Sequence, residues 1–135
     1  TSGQNNCIDY KKVELEELLS TSRIISIHAP LNDKTHNLIS FKEFENIDKN
    51  AVIINVGRGS IVNCQALAQA LDKGMIAGAC LDVLPNEPIE IENPLSVINN
   101  KEKLLITPHI AWTSHEALNQ LLLMVKNNIQ NYISK

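Results

Sequence analysis

The sequence is short of aromatic residues, of excess charge and of long hydrophobic runs. Of its 135 residues 4% are aromatic, and the formal net charge is −3. A mildly acidic chain offers no basic surface to nucleic acid or to an anionic membrane, so we expect neither as a partner. No apolar run approaches the ~20 residues that a membrane-spanning helix needs, and no signal-peptide pattern opens the chain. These absences favour an ordinary soluble globular protein.

Cysteine is scarce as well. The chain has three cysteines, Cys7, Cys64 and Cys80. They are odd in number and no two have C-x-x-C spacing, which argues against a disulfide framework and against a four-ligand zinc knuckle. We therefore expect a reducing, cytoplasmic location and no metal site.

Four short apolar runs alternate with helical patterns along the chain. The runs are Ile24–Ile27, Val52–Val56, Ile76–Leu81 and Leu104–Ile106. Because these runs are continuous rather than alternating, they predict strands covered on both faces. Spacings of about 20 residues between the runs fit strand–helix–strand crossovers. The pattern predicts one parallel α/β sheet.

Helices are predicted between and after the strands. Leucines at helical spacing precede the first strand: Leu15, Leu18 and Leu19. A capping box at Ser40–Glu43 opens a second helix, with Phe41, Phe44 and Ile47 on one face. Asn63 suits the N-cap of a third helix that ends at Gly74. A capping box at Thr113–Glu116 opens the longest helix, with one apolar stripe: Leu118, Leu121, Leu122, Val125 and Ile129.

The residues that follow the strands carry the chemistry. Parallel sheets bind ligands at the carboxyl ends of their strands. Those ends hold His28 and Pro30, Gly57 and Arg58, Asp82, and His109. Taken alone, each charged residue is more often a solvated loop residue or a packing histidine than a functional group. Their placement on one edge favours a functional site.

Three side chains suggest one reaction type. Arg58 lies between two glycines, and its planar guanidinium can bind a carboxylate in a bidentate manner. His109 exchanges protons readily near neutral pH. A carboxylate beside it would orient the ring and favour its charged form, and Glu87 on a proline-stiffened loop is the candidate. Glu87 is equally compatible with an exposed loop acid. Together the three suit proton transfer to or from an oxygen of a carboxylic acid.

Four segments carry a resemblance to a known family. They are Ile27–Leu31 (IHAPL), Ile54–Asn63 (INVGRGSIVN), Leu81–Pro88 (LDVLPNEP) and Thr107–Trp112 (TPHIAW). In this order and at this approximate spacing they closely resemble signatures of the D-isomer-specific 2-hydroxyacid dehydrogenases. The resemblance runs from about Val13 to about Ile129, and four long ordered motifs are a specific signal.

The resemblance implies reversible hydride transfer between NAD or NADP and a small 2-keto or 2-hydroxy acid. It makes Arg58 the substrate-binding arginine, His109 the acid/base, and Glu87 the carboxylate paired with it. Asp82 resembles the residue that contacts the nicotinamide carboxamide. The remaining cofactor-lining positions are His28, Pro30 and Thr35 on the adenosine and ribose side, and Val56 and Gly57 beside the nicotinamide, where Arg58 and His109 also lie.

The chain also departs from the family pattern. No G-x-G-x-x-G occurs in residues 1–135, although in the family such a loop binds the pyrophosphate. We therefore expect the carboxyl-terminal part of a truncated, three-layer Rossmann-like domain, without the glycine loop and the substrate domain. Two hypotheses follow: part of a dehydrogenase, or a non-catalytic remnant or association module. We do not expect turnover by this chain alone, and we expect a homodimer or other self-association. The particular 2-hydroxy acid and the choice between NAD and NADP stay open.

Overall fold

The computed structural model describes residues 10–134, so Cys7 lies outside the described residues. The strands are β1 (Ile24–Ile27), β2 (Val52–Asn55), β3 (Gly78–Leu81) and β4 (Leu104–Ile106). They form one parallel sheet in the order β1-β2-β3-β4. The α-helices are α1 (Leu15–Thr21), α2 (Phe41–Asn46), α3 (Cys64–Asp72) and α4 (His115–Ile133). The predicted parallel, Rossmann-like α/β architecture is confirmed.

The core lies between one face of the sheet and helices α1, α2 and α3. Side chains from strands and helices form a single buried cluster that includes Leu19, Ile53, Ile61, Leu67 and Leu71. Burying one such side chain contributes roughly 1.5–3 kcal/mol, so this face supplies most of the apolar stabilisation. The helices lie next to one another in the order α1, α2, α3.

The opposite face of the sheet is open within the described residues. Along β1, Ile25 and Ile27 are buried, whereas Ile24 is 70% exposed and Ser26 is exposed. The expectation that the strands are covered on both faces is therefore wrong for β1. A continuous apolar run shows that strand formation is favoured, but it does not show what covers the second face.

Helix ends follow their capping residues, with one register error. Glu43 Oε2 accepts from the backbone N–H of Ser40 (3.1 Å), and Asn63 Oδ1 accepts from that of Ala66 (2.9 Å). Gly74 follows α3 with φ +66°, as a C′ glycine does. The N-cap of α4, however, is Ser114 rather than Thr113. Most of the predicted apolar stripe of α4 is exposed, with only Leu118 half-buried. Phe41, predicted to share a packed face with Phe44, is 46% exposed.

The described part of the chain contains no helix that is both long enough and apolar enough to traverse a membrane.

Candidate active site

The four loops that follow the strands meet at one edge of the sheet. Two glycines bring neighbouring loops into contact. A Cβ on Gly57 would lie 2.9 Å from the carbonyl oxygen of Ala29, and one on Gly59 would lie 2.0 Å from the carbonyl carbon of Leu84. The loop after β2 therefore touches the loop after β1 on one side and the loop after β3 on the other.

His109 and Glu87 form a hydrogen bond across this edge. Nδ1 of His109 lies 2.8 Å from Oε2 of Glu87, and both side chains are partly exposed. The other carboxylate oxygen, Oε1, accepts from the backbone N–H of Leu84 (2.9 Å), which fixes the direction of the side chain. The predicted contact between these two residues is confirmed, although they are 22 positions apart in the sequence.

The electrostatics of the pair assign its proton. The hydrogen bond from Leu84 N–H, followed by the one from His109, lowers the pKa of Glu87 below its ordinary value. Glu87 is therefore ionised at neutral pH and can only accept hydrogen bonds. Consequently Nδ1 of His109 carries a proton, and Nε2 is the nitrogen left to exchange one with a ligand.

Asp82 is buried at the end of β3, with 6% of its surface exposed. Its Oδ1 accepts from Thr107 Oγ1 (2.5 Å) and Ile110 N–H (2.9 Å), and its Oδ2 accepts from Ala111 N–H (2.8 Å). Burial disfavours the charged carboxylate, but these three hydrogen bonds and the nearby His109 outweigh it, so the pKa of Asp82 lies below its ordinary value. Asp82 thus holds the loop that carries His109.

Arg58 is exposed and has no carboxylate partner among the described residues. Its Nη1 donates to the carbonyl oxygen of Gly57 (2.7 Å). The turn beneath it is built by buried Asn55, whose Nδ2 donates to the Arg58 carbonyl oxygen (3.0 Å) and whose Oδ1 accepts from Gly57 N–H (3.1 Å). The structure shows no hydrogen bond or ion pair between Arg58 and the His109–Glu87 pair in residues 10–134, so the guanidinium remains available to an anionic ligand.

The cofactor-lining positions predicted after β1 differ in accessibility. His28 and Pro30 are exposed, and Nε2 of His28 lies 2.8 Å from Ser26 Oγ. Thr35 is buried, and its hydroxyl donates to the carbonyl oxygen of Pro30 (2.6 Å) and accepts from Asn32 N–H (2.8 Å). Thr35 therefore shapes this loop from below. His28 follows β1 and His109 follows β4, at opposite ends of the sheet order, so His28 is not the partner of His109.

Two cavities flank Asp82. One of about 270 Å³ lies on the open face of the sheet and is lined mainly by apolar side chains, among them Ile54, Val56, Leu105 and Ile110. A carboxylate has about four acceptor positions, and Asp82 uses three, so one remains on Oδ2. An apolar surface beside a single acceptor suits a flat ring that bears an amide. The second cavity, of about 410 Å³, is bordered by Glu87 and His109.

Sequence reasoning missed three residues that build the site. Asn55 makes the turn under Arg58, Thr107 bonds Asp82, and Trp112 Nε1 donates to the carbonyl oxygen of His109 (2.9 Å). Each lies inside one of the four motifs, but nothing in the sequence separates a side chain that contacts a ligand from one that supports it. In residues 10–134 the structure contains no cluster of three or more His, Cys, Asp or Glu side chains suited to a metal ion.

Residues 2–111 match the family described as the D-isomer specific 2-hydroxyacid dehydrogenase, NAD binding domain. A glyoxylate reductase from Aeropyrum pernix is 40% identical over 115 residues, which are 85% of this chain and 33% of that protein. A crystal structure of a glyoxylate reductase from Paecilomyes thermophila matches with a TM-score of 0.77 and 32% identity, covering 91% of this chain and 36% of the other.

An acyclic imino acid reductase solved with NADPH and D-Arg matches with a TM-score of 0.85 and 32% identity, over 99% of this chain and 42% of that one. The chain therefore spans well under half the length of the proteins that it matches.

Proposed function

The chain belongs to the NAD-binding domain family of the D-isomer specific 2-hydroxyacid dehydrogenases, and from that premise we propose that it carries the acid/base and part of the cofactor site of an enzyme that reduces a small 2-keto acid. The observation that carries the proposal is the His109–Glu87 pair, 2.8 Å apart at the carboxyl edge of the parallel sheet. An imidazole with one nitrogen fixed by a carboxylate and the other free is the arrangement that general acid/base catalysis needs.

The chemistry supplied by a bound nicotinamide cofactor is donation of a hydride to the carbonyl carbon of the substrate. Residues around the open-face cavity fit this group: Val56 and Ile110 offer apolar surface, and Oδ2 of Asp82 offers an acceptor for a carboxamide N–H. NAD and NADP are both compatible with these residues.

The rest of the mechanism belongs to this chain's own side chains. During reduction, Nε2 of protonated His109 gives its proton to the carbonyl oxygen, which becomes the hydroxyl of the 2-hydroxy acid. Glu87 retains its hydrogen bond to Nδ1 and stabilises the charged imidazolium before transfer. The exposed Arg58 guanidinium binds the substrate carboxylate. In the oxidative direction neutral His109 accepts the proton at the same nitrogen.

A chimera tests the proposal because the chain covers only part of its relatives. This chain would replace the aligned segment of the Aeropyrum pernix glyoxylate reductase, and reduction of glyoxylate by NADH and by NADPH would be measured. We expect turnover, and we expect His109→Gln to lower kcat/KM by about 100- to 10,000-fold. His36→Gln is the matched control, because His36 is exposed and lies in another loop; it should leave kcat/KM unchanged.

Two outcomes would contradict the proposal. A folded chimera that binds the reduced cofactor but turns over no 2-keto acid would favour the non-catalytic association module. Equal losses in the His109→Gln and His36→Gln variants would remove His109 from the chemistry. Imino acids should be tried as substrates too, because the chain also matches an imino acid reductase. Reduction of imino acids in place of keto acids would keep the acid/base assignment but change the substrate class.

A further inference from the structure

His109 has an unusual backbone conformation for a residue with a side chain. Its φ is +56°, in the left-handed region that glycine adopts most readily. A residue with a Cβ pays roughly 1–2 kcal/mol to remain there. Surrounding contacts must therefore hold the conformation, and the structure shows which ones.

Asp82 accepts hydrogen bonds from residues on both sides of His109 in the loop. The hydroxyl of Thr107 bonds Oδ1 from the residue two positions before, and the backbone N–H groups of Ile110 and Ala111 bond Oδ1 and Oδ2 from the two residues after. Asp82 is buried, so these bonds form away from bulk water and gain strength from the charge of the carboxylate. His109 lies between these hydrogen-bonded residues, and its side chain faces Glu87.

Trp112 holds the same turn from outside. Its indole N–H donates to the carbonyl oxygen of His109 (2.9 Å), while the backbone N–H of His109 donates to the carbonyl oxygen of Thr107 (3.0 Å). Both backbone polar groups of His109 are thereby satisfied within the turn. The direction of the imidazole then follows from the backbone, which brings Nδ1 to Glu87.

We propose that Asp82, assisted by Trp112, is the positioning residue for His109: it fixes the left-handed backbone that delivers the imidazole to Glu87. Its effect on turnover rests on the proposed function, but its effect on the geometry of His109 does not. Asp82 thus serves the acid/base as well as the cofactor surface. The hydrogen bonds of Thr107 to Asp82 and of Trp112 to His109 can be removed by substitution without changing any charge.

Thr107→Val tests the positioning role directly, since it removes the hydroxyl that bonds Asp82 and keeps the shape of the side chain. Imidazole ¹⁵N spectra of the labelled chain report which ring nitrogen carries the proton, and the signals of His109 are assigned by their loss in His109→Gln. In the wild-type chain we expect Nδ1 to keep its proton in both charge states of the ring. In Thr107→Val and Trp112→Phe we expect the neutral ring to move toward the Nε2–H form.

Matched controls separate positioning from general destabilisation. Thr21→Val removes a comparable hydroxyl hydrogen bond, 2.6 Å to Glu17, on α1, and Tyr132→Phe changes an exposed ring on α4. Neither should alter the His109 spectrum. A folded Thr107→Val chain with the wild-type His109 spectrum would overturn the proposal. If Thr107→Val does not fold, Trp112→Phe, at a 54% exposed side chain, decides in the same way.

Kinetics in the glyoxylate reductase chimera give the second readout. Trp112→Phe, at a side chain that does not line the open-face cavity, should lower kcat by up to about 100-fold while the KM for the nicotinamide cofactor stays unchanged, because a misplaced acid affects chemistry rather than cofactor binding. An unchanged kcat in Trp112→Phe would overturn the positioning role. If the unmodified chimera is inactive, the proposed function fails, whereas the spectra of the chain still decide the positioning role.

Discussion

Gly59 lies so close to Leu84 that a Cβ at position 59 would fall 2.0 Å from the carbonyl carbon of Leu84 and 2.2 Å from the nitrogen of Pro85. Leu84 in turn donates its backbone N–H to Glu87. The turn that carries Arg58 and the loop that carries Glu87 are therefore packed backbone to backbone. Gly59, next to Arg58, therefore packs against the loop that holds Glu87 in place beside His109.

Gly59→Ala should be strongly destabilising, because the added methyl group meets backbone atoms that cannot rotate away. Overpacking of this kind costs about 1–3 kcal/mol or more. Gly74→Ala is the comparison: Gly74 has φ +66°, but an added Cβ would meet only the Nζ of Lys103, at an ordinary contact distance of 3.8 Å, so only the conformational cost of roughly 1–2 kcal/mol applies. Urea denaturation should rank Gly59→Ala as the less stable variant. The reverse order would contradict the close packing of the two loops.

Asp82→Asn should change both stability and its dependence on pH. The pKa of Asp82 is lower in the folded chain than in the unfolded chain, where it is about 3.9. The ionised carboxylate therefore stabilises the fold at pH values above the unfolded pKa, and this stabilisation is lost as pH falls through the folded pKa. Asparagine keeps one acceptor but places an NH₂ against a backbone N–H. We expect a loss of about 1–3 kcal/mol at neutral pH and a smaller further loss in acid than in the wild-type chain.

The control for this titration is Asp33→Asn, at an exposed residue of the loop after β1. It should follow the wild-type curve, measured as the free energy of unfolding between pH 7 and about pH 3. Glu87, whose pKa is also lowered, leaves part of the acid dependence in place in Asp82→Asn. An acid loss in Asp82→Asn as steep as in the wild-type chain would mean that the hydrogen bonds of Asp82 do not depend on its charge.

Arg58→Lys should impair substrate use without affecting folding. Lysine keeps the positive charge but loses the planar pair of donors, so kcat/KM of the chimera should fall by about 10- to 1,000-fold. The side chain is exposed and its hydrogen bond is to the neighbouring Gly57 carbonyl oxygen, so the melting temperature should stay unchanged. Arg23→Lys, at the chain's other arginine, is the control. A lower melting temperature with unchanged kinetics would make Arg58 a structural residue.

The chain should self-associate at micromolar concentration. Helix α4 has no buried residue, and its apolar stripe, with Leu121, Leu122, Val125 and Ile129, faces outward. An exposed apolar patch of this kind favours protein–protein contact. Sedimentation velocity should show species larger than a monomer, and Leu122→Glu should shift them toward the monomer. A monomeric wild-type chain would contradict this prediction.

The fold could be predicted well where local chemistry decides it. The β1 and β4 runs match their observed bounds, and Asn63 and Gly74 mark the ends of α3 as expected. Coverage of the sheet could not be predicted, because a hydrophobic run does not say which neighbour packs on it. The predicted N-cap of α4, Thr113, is one residue too early. Thr113 and Ser114 are both residue types that cap helices, and only the backbone conformation decides between them.

The site divides in the same way. The meeting of His109 and Glu87 could be predicted because strand ends converge at one edge of a parallel sheet. Their supporting contacts could not be predicted: the hydroxyl of Thr107 and the indole of Trp112 act through single hydrogen bonds whose geometry depends on the assembled loops. A motif thus identifies which residues gather, and the structure is needed to assign contact or support.

The central claim, that His109 is the acid/base and Glu87 its partner, is tested most directly by reductive kcat/KM of the Glu87→Gln chimera. Oε2 of Glu87 lies 2.8 Å from Nδ1 of His109 and so fixes the orientation of the imidazole. Glu87→Gln should therefore lower kcat/KM by about 10- to 100-fold, while Glu92→Gln, at an exposed acid on the same loop, should leave kcat/KM unchanged. An unchanged kcat/KM in Glu87→Gln would contradict the account.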